Sequence, residues 1–442
     1  MLLIKEMKKT IFSLTFAVFI VALLVMPSSQ DVLSFSNNII TEPQQGEDYG
    51  IQQKEVPELI MPAAFSSLYT EFTANEYIAY PIGFYKNVKL NNTDREKMAE
   101  IISVLSGVSV DDLLGQNVDS NNQDKINITL GENQNYHEQA DGAIIINKND
   151  AKSEANGNTE IVLSADISYE KFKEYMKQAD DIIGGGSNYS ENSLLKFSYV
   201  AITYEEAVES YNLLASTDKF TGAYARLFCD YVGTILSILP VFIAVGVCLK
   251  DGRTKMNDLI YARKKSSLKL ILSRCFAIII AVMVPTVILA YISNSTVWGQ
   301  YSGMNLDYFA PLKYAFGWLM PSVMIAVAIG MFFTELTGTP IAIAIHGLWW
   351  FIDLNAGVSR LRGVHNHFEL TPRHNSLGNT QIFRDEFNTL ITNRLIIAGV
   401  ALLFIFATVF VYEQKRRGKF VSFGKAKIKI TSLANRKSKS AA

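Results

Sequence analysis

The chain has only three cysteines in 442 residues, and Cys229, Cys248 and Cys275 all lie in or beside long apolar runs. The polar stretch 28–225 has none, so no disulfide staples it. A disulfide-free exposed domain fits a Gram-positive bacterial surface. There is also no G-x-x-x-x-G-K-[ST] loop: "RRGKF" and "FGKAK" carry a Gly-Lys pair without the upstream glycine or the following hydroxyl residue. That excludes ATP hydrolysis through a P-loop of the chain's own. His137 is the sole histidine of 28–225, which argues against a His-based triad or a multi-histidine zinc site there. "DSNNQD" lacks the glycine and the closing glutamate of a calcium loop.

Ionisable residues are sparse within the apolar runs, which argues against a proton- or sodium-driven carrier. Asp230 and Lys313 fall near one end of their runs. Arg274 and Glu335 fall near the other, where long side chains snorkel. Only His346 is near mid-depth, and beside Gly347, Trp349 and Trp350 it reads as a helix-packing hydrogen bond.

What is present is apolar: 49% of the residues, gathered into runs at 11–26, 227–249, 270–292, 314–334, 336–352 and 395–412. Each approaches the ~20 residues that cross a bilayer. The first follows the basic tip "KEMKK"; its Pro27-Ser28-Ser29 end is a weak cleavage site, so it reads as a retained span. The run 336–352 contains Gly338, Pro340 and His346 and is the weakest of the six.

The net charge of −1 conceals a strong asymmetry: 28–225 holds 31 Asp and Glu against 13 Lys and Arg. The bases gather at the N-terminal tip, at 250–269 and after Tyr412. The positive-inside rule then puts both termini and 250–269 in the cytoplasm, and 28–225, 293–313 and 353–393 outside. The expected fold is a polytopic α-helical membrane protein with six transmembrane helices. An α+β extracellular domain, 28–225, is inserted between spans 1 and 2. A five-helix transmembrane domain covers 226–412, and a basic cytoplasmic tail covers 413–442.

Within 28–225, "TDREKMAEIISVLSG" and "TYEEAVESYNLLAS" read as helices opened by capping boxes, Thr93 with Glu96 and Thr203 with Glu206. "SYEKFKEYMKQADDII" is an amphipathic helix stopped by Gly184-Gly185-Gly186. "INITL", "AIIIN" and "EIVLSAD" read as short strands.

The stretch 250–270, "KDGRTKMNDLIYARKKSSLKL", carries more than topological charge. Met256, Leu259, Ile260 and Arg263 recur at the spacing of one helix face. Its bases Lys264, Lys265 and Lys269, with Lys415, Arg416 and Arg417 of the tail, would meet anionic lipid at the membrane surface.

This stretch, "DGRTKMNDLIYARKKSSLKLILSRCFA", resembles the loop between the second and third spans of type-2 ABC exporter permeases, with Asp251, Thr254, Leu259 and Ile260 in the matching pattern. "FTGAYARLFCDYVGTILSILPVF" resembles the start of the second span of Gram-positive members that carry a large extracellular domain. "ELTPRHNSLGN" with "FNTLITNRLIIAGVALL" resembles the return to the last span at Asn393-Arg394.

The resemblance covers the membrane half. It implies a permease dimer, homo- or heteromeric, worked by a separate cytoplasmic ATPase subunit. Asp251, Thr254, Met256, Leu259, Ile260 and Arg263 would form the coupling helix. A re-entrant or interfacial segment would lie in 353–393. Implied substrates are lipids, peptides or drugs, and the acidic exposed domain would steer cationic peptides toward it.

The alternative is a non-transporting surface receptor or secretion scaffold resembling the phage-infection protein, whose exposed domains are long and coiled-coil-rich; 28–225 has no sustained heptads. A mechanotransmission-type permease would have four spans. His365, His367, Glu369, His374 and Asp385 contain an H-x-H pair, but they read as a polar interfacial loop, and neither metal nor cofactor is expected. The charge distribution predicts that a reporter fused after Ala442 is active only as a cytoplasmic marker, whereas one inserted near Asn121 is active only outside. The opposite pattern would invert the topology.

Overall fold

The computed structural model describes residues 2–35, 38–81, 83–115, 135–138, 144–147, 161–253, 260–262, 265–358, 367–373, 377–378 and 380–419. They form two units, Met1–Glu42 with Val208–Ala442, and Pro43–Ala207.

The chain opens with α1 (Leu2–Ile11) and α2 (Leu14–Ser29), bent by 67° at the junction. The expected single run at 11–26 is therefore broken at its start. Ser13 is the reason: its backbone is extended and its hydroxyl accepts from Phe16 N at 3.2 Å, so a new helix starts there.

The unit Pro43–Ala207 contains β1 (Ile51–Gln53), α3 (Pro57–Ala74), β2 (Tyr77–Ala79), β3 (Lys86–Val88), α4 (Asn92–Ser106), α5 (Val110–Gly115), β4 (Asn135–Glu138), β5 (Ile144–Asn147), α6 (Tyr169–Ile183), β6 (Tyr199–Ala201) and the start of α7 (Tyr204–Leu213). Its strands pair antiparallel as three two-stranded ribbons, β1 with β6, β2 with β3 and β4 with β5. The core lies among α3, α4 and α6, where Phe72, Met98, Ile102, Phe172 and Met176 are fully buried. Each such side chain contributes about 1.5–3 kcal/mol by leaving water.

The expected box at Thr203 is complete: Glu206 N donates to Thr203 Oγ1 at 3.2 Å, and Thr203 N donates back to Glu206 Oε2 at 3.1 Å. The one at Thr93 is not. Helix α4 begins two residues earlier, because Asn91 caps it by accepting from Asp94 N at 3.0 Å. Gly184, Gly185 and Gly186 all have positive φ and stop α6 as expected. At Gly186 a Cβ would lie 2.7 Å from Tyr80 O. The described part of "EIVLSAD", residues 161–166, forms no strand; it runs as coil and turn beside the core, pinned where Ser164 N donates to Leu105 O at 2.8 Å. "AIIIN" contains β5, and "INITL" lies outside the described residues.

The helical unit continues through a π turn (Leu214–Asp218), then α8 (Thr221–Leu236), α9 (Leu239–Arg253), α10 (Ser267–Gln300), α11 (Ala310–Tyr314), a second π turn (Ala315–Leu319), α12 (Met320–Thr337), α13 (Ile341–Val358), α14 (Thr380–Asp385) and α15 (Phe387–Arg416). Among the described residues four helical stretches are long and apolar enough to cross a membrane: Thr221–Lys250, Ser267–Gln300, Ala310–Thr337 and Phe387–Arg416. The bent α1–α2 pair makes five if it counts as one span. The expected fifth run, 336–352, yields a shorter apolar helix, because Gly338 ends α12 in the left-handed region and the next helix waits until after Pro340.

Helix α12 packs against α9 and α15. Lipid-like surroundings give no hydrophobic drive for such contacts, so close approach matters. Gly330 supplies it: a Cβ there would sit 2.7 Å from Ala244 Cβ. The chain leaving α2 is tied to this unit, since Ser293 Oγ donates to Val32 O at 2.6 Å and Tyr301 Oη donates to Ile40 O at 2.8 Å.

Glu71 of α3 accepts from Tyr189 Oη at 2.7 Å within the α+β unit. Burial raises its carboxyl above the ordinary carboxylate range, outweighing the hydrogen bonds from Tyr189 and the Ile78 backbone. Folding thus favours the protonated form, so its contribution is full below the ordinary range and is lost as pH climbs through the raised value. Glu71→Gln should therefore slow hydrogen exchange in α3 at neutral pH and give no gain in acid; equal effects at both pH values would refute the assignment.

Candidate functional site

Two clusters of buried polar groups stand out in the helical unit. The first surrounds a break in one apolar stretch. Pro240 has no N–H to continue the ladder, and α8 stops at Leu236. Ile238 N donates to Ile235 O and Val241 N to Ile238 O, each at 3.2 Å and only three residues back. The carbonyls of Thr234 and Ser237 lose their helical donors in consequence.

Helix α13 supplies replacements. His346 Nε2 lies 2.6 Å from Ser237 O, and Trp350 Nε1 donates to Thr234 O at 3.1 Å. The carbonyl partner requires the proton on Nε2 of His346. One turn further, Asp353 accepts from Leu370 N and Thr371 N, both at 3.1 Å. His346, Trp350 and Asp353 stand at i, i+4 and i+7, one face of one helix.

The segment 369–371 has no helical bonds of its own, and Leu370 and Thr371 are buried. Thr371 Oγ1 donates to Ser237 Oγ at 3.2 Å, and Ser322 Oγ donates to Leu370 O at 2.6 Å. Arg394, itself buried, spends every guanidinium nitrogen here. It donates to Asn393 Oδ1 at 2.7 Å, Ser322 Oγ at 2.8 Å, Trp318 O at 3.2 Å, and Glu369 O. Asn393 Nδ2 donates to Glu369 O at 3.2 Å. Non-helical backbone in an apolar interior is tolerated only where protein groups satisfy it, and here they do.

Near the start of α8, Arg226 forms a buried two-pronged pair with Asp218, its Nη2 donating to Oδ2 at 2.6 Å. Thr380 Oγ1 also donates to Asp218 Oδ2 at 2.6 Å, and the guanidinium sits 4.3 Å from the Phe383 ring centre. Asp230, one turn along α8, is buried.

The second cluster lies among α1, α10, α12 and α15. Arg274 is 1% exposed and does not snorkel; it pairs with Glu6 of α1 at 3.5 Å and Glu335 of α12 at 3.9 Å. Lys415 reaches Glu335 at 3.6 Å. Four charges of alternating sign thus join four helices. Ser267 Oγ donates to Glu413 Oε2, and Arg417 pairs with Glu413 at 2.8 Å. Arg416 donates to Tyr261 O at 3.0 Å and Lys265 O at 2.7 Å, while the Tyr261 and Tyr412 rings meet edge-on at 5.4 Å.

The basic residues Lys415, Arg416 and Arg417 of the sequence reading therefore have protein partners, and Lys265 and Lys269 are exposed. Ile260 is half-buried beside them, and Lys250 is exposed at the end of the other flank. The backbone of α9 runs through Asp251 to Arg253, whereas Thr254, Met256, Leu259, Arg263 and Lys264 lie outside the described residues. So do His365 and His374; among the described residues no group of metal-ligating side chains converges.

The sequence reading missed Glu6, Asp218 and Arg226. Arg226 stands one residue before the apolar run begins, and Glu6 reads as part of a basic tip. No known protein-family model matches the chain, no curated protein matches it, and no solved structure matches it.

A buried ion pair costs most when half of it is removed. Asp218→Ala should destabilise the protein by about 3–5 kcal/mol through the stranded Arg226. Asp218→Leu combined with Arg226→Met should recover most of that loss in a detergent-solubilised unfolding assay, whereas additive losses would show that the pair is not coupled.

Proposed function

We propose that the chain is the membrane-spanning permease subunit of an ABC exporter in the plasma membrane, moving a lipid, peptide or drug-like substrate with energy from a separate ATPase subunit. In this reading there are six spans, α1–α2 counting as the first and α13 as a short fifth. Both termini and 250–269 face the cytoplasm, and the α+β unit is extracellular. Two permease halves, identical or different, pair with the ATPase.

One observation carries the reading. The far flank of 250–269 is bolted to the end of α15: Arg416 holds the carbonyls of Tyr261 and Lys265, and Tyr412 packs on Tyr261. The near flank is continuous with α9. A push delivered to this stretch would reach α9 and α15 directly, and through Glu413–Ser267 and the Glu6–Arg274–Glu335–Lys415 chain it would reach α10, α12 and α1. That is what a coupling element needs in a chain without a nucleotide loop. In this role Met256, Leu259 and Ile260 would seat in the ATPase, with Asp251, Thr254 and Arg263 flanking them, while Lys264, Lys265 and Lys269 stay near anionic lipid.

The test is to convert Leu259 and Ile260 to Glu in the full-length chain and isolate it from its native membranes. The unaltered protein should co-purify with an ATP-hydrolysing subunit, and the double variant should lose at least tenfold of that activity. Unchanged co-purification would overturn the coupling role.

A further inference from the structure

We infer that α13 is the latch of a proline hinge: His346 and Trp350 hold the break between α8 and α9, so that this break opens only when α13 moves with it. The inference does not depend on an ATPase partner.

The hinge follows from Pro240. Its ring forbids the normal ladder, and the flanking amides of Ile238 and Val241 fall back on shorter three-residue bonds. Two carbonyls, Thr234 O and Ser237 O, then need outside donors. Both donors come from one helix, at i and i+4, and both side chains point at the same break. His346 is fully buried, as is Ser237, so water does not stand by to replace a lost bond.

A buried carbonyl without a donor is costly, and Ser237 O would have none once His346 moves away, while Thr234 O would lose the indole donor and keep only the Ser237 hydroxyl. The break therefore has two consistent arrangements: latched, with both carbonyls capped, or displaced far enough for other donors to reach them. Intermediate positions leave Ser237 O bare and Thr234 O with the Ser237 hydroxyl alone. Ser237 Oγ adds a third link, because it donates to Thr234 O at 3.1 Å while accepting from Thr371. Asp353, on the same face of α13, holds the amides of Leu370 and Thr371. Movement at the break is thus tied to α13 and, through it, to the buried segment 369–371.

The alternative is that His346 and Trp350 merely fill space. A background that abolishes the demand for donors separates the two. Pro240→Ala removes the ring and restores an N–H that donates to Leu236 O, so Ile238 N and Val241 N return to Thr234 O and Ser237 O and the ladder closes. In full-length protein in lipid nanodiscs, hydrogen exchange at the amides of Ile238 and Val241 reports opening. His346→Leu should speed that exchange about tenfold, and His346→Gln, which keeps a donor of similar reach, should restore it to within about threefold. With Pro240→Ala present, His346→Leu should change it less than twofold. Exchange that rises equally in both backgrounds, or that Gln fails to restore, would overturn the latch. Trp350→Phe, which keeps the ring and loses only the donor, provides a second reading: acceleration at the break supports the latch, and none counts against it.

Discussion

The need to satisfy backbone carbonyls away from water governs the helical unit. A regular helix does this internally, so every irregularity creates a debt that a side chain must cover. Pro240 leaves two carbonyls to α13. The π turn at Ala315–Leu319 accompanies a Trp318 carbonyl bound by Arg394. The buried segment 369–371 exposes a whole stretch of backbone, and Asp353, Asn393, Arg394 and Ser322 converge on it. Remove that constraint and the buried polar residues of this region have no common purpose; with it, they form one connected network.

Charges obey a related rule at the other cluster. Glu6, Arg274, Glu335 and Lys415 alternate in sign, so each buried group has an opposite neighbour. Their contribution to net stability is limited, because burying them costs nearly what pairing returns. Their effect is geometric: they fix where α1, α10, α12 and α15 meet, around the point where the stretch 250–269 returns to the bundle.

Much of this was legible along the chain. Apolar runs located the long helices, and the box at Thr203 and the glycines after Ile183 marked local boundaries accurately. His346 made the helix-packing hydrogen bond expected of it. The errors have physical causes. Asn91 takes the cap in place of Thr93 because its amide oxygen, an equally good capping acceptor, reaches Asp94 N and opens the helix two residues before the expected start. "EIVLSAD" has strand-like composition, but among the described residues, 161–166 pair with no strand. Arg274 reads along the chain as a snorkelling residue because its partners, Glu6 and Glu335, are distant in sequence.

By itself the sequence determined which segments are apolar, where the charges concentrate, where helices must start or stop, and that no nucleotide loop is present. These are properties of single residues and near neighbours, fixed by hydration and by local backbone sterics. Only the tertiary structure decided who answers Pro240, which acid faces Arg274, and how Asn393 and Arg394 hold a segment over twenty residues upstream. Those pairings join residues separated by 24 positions, as for Asn393 and Glu369, up to hundreds. Their energies exist only once the helices have packed and water has been excluded.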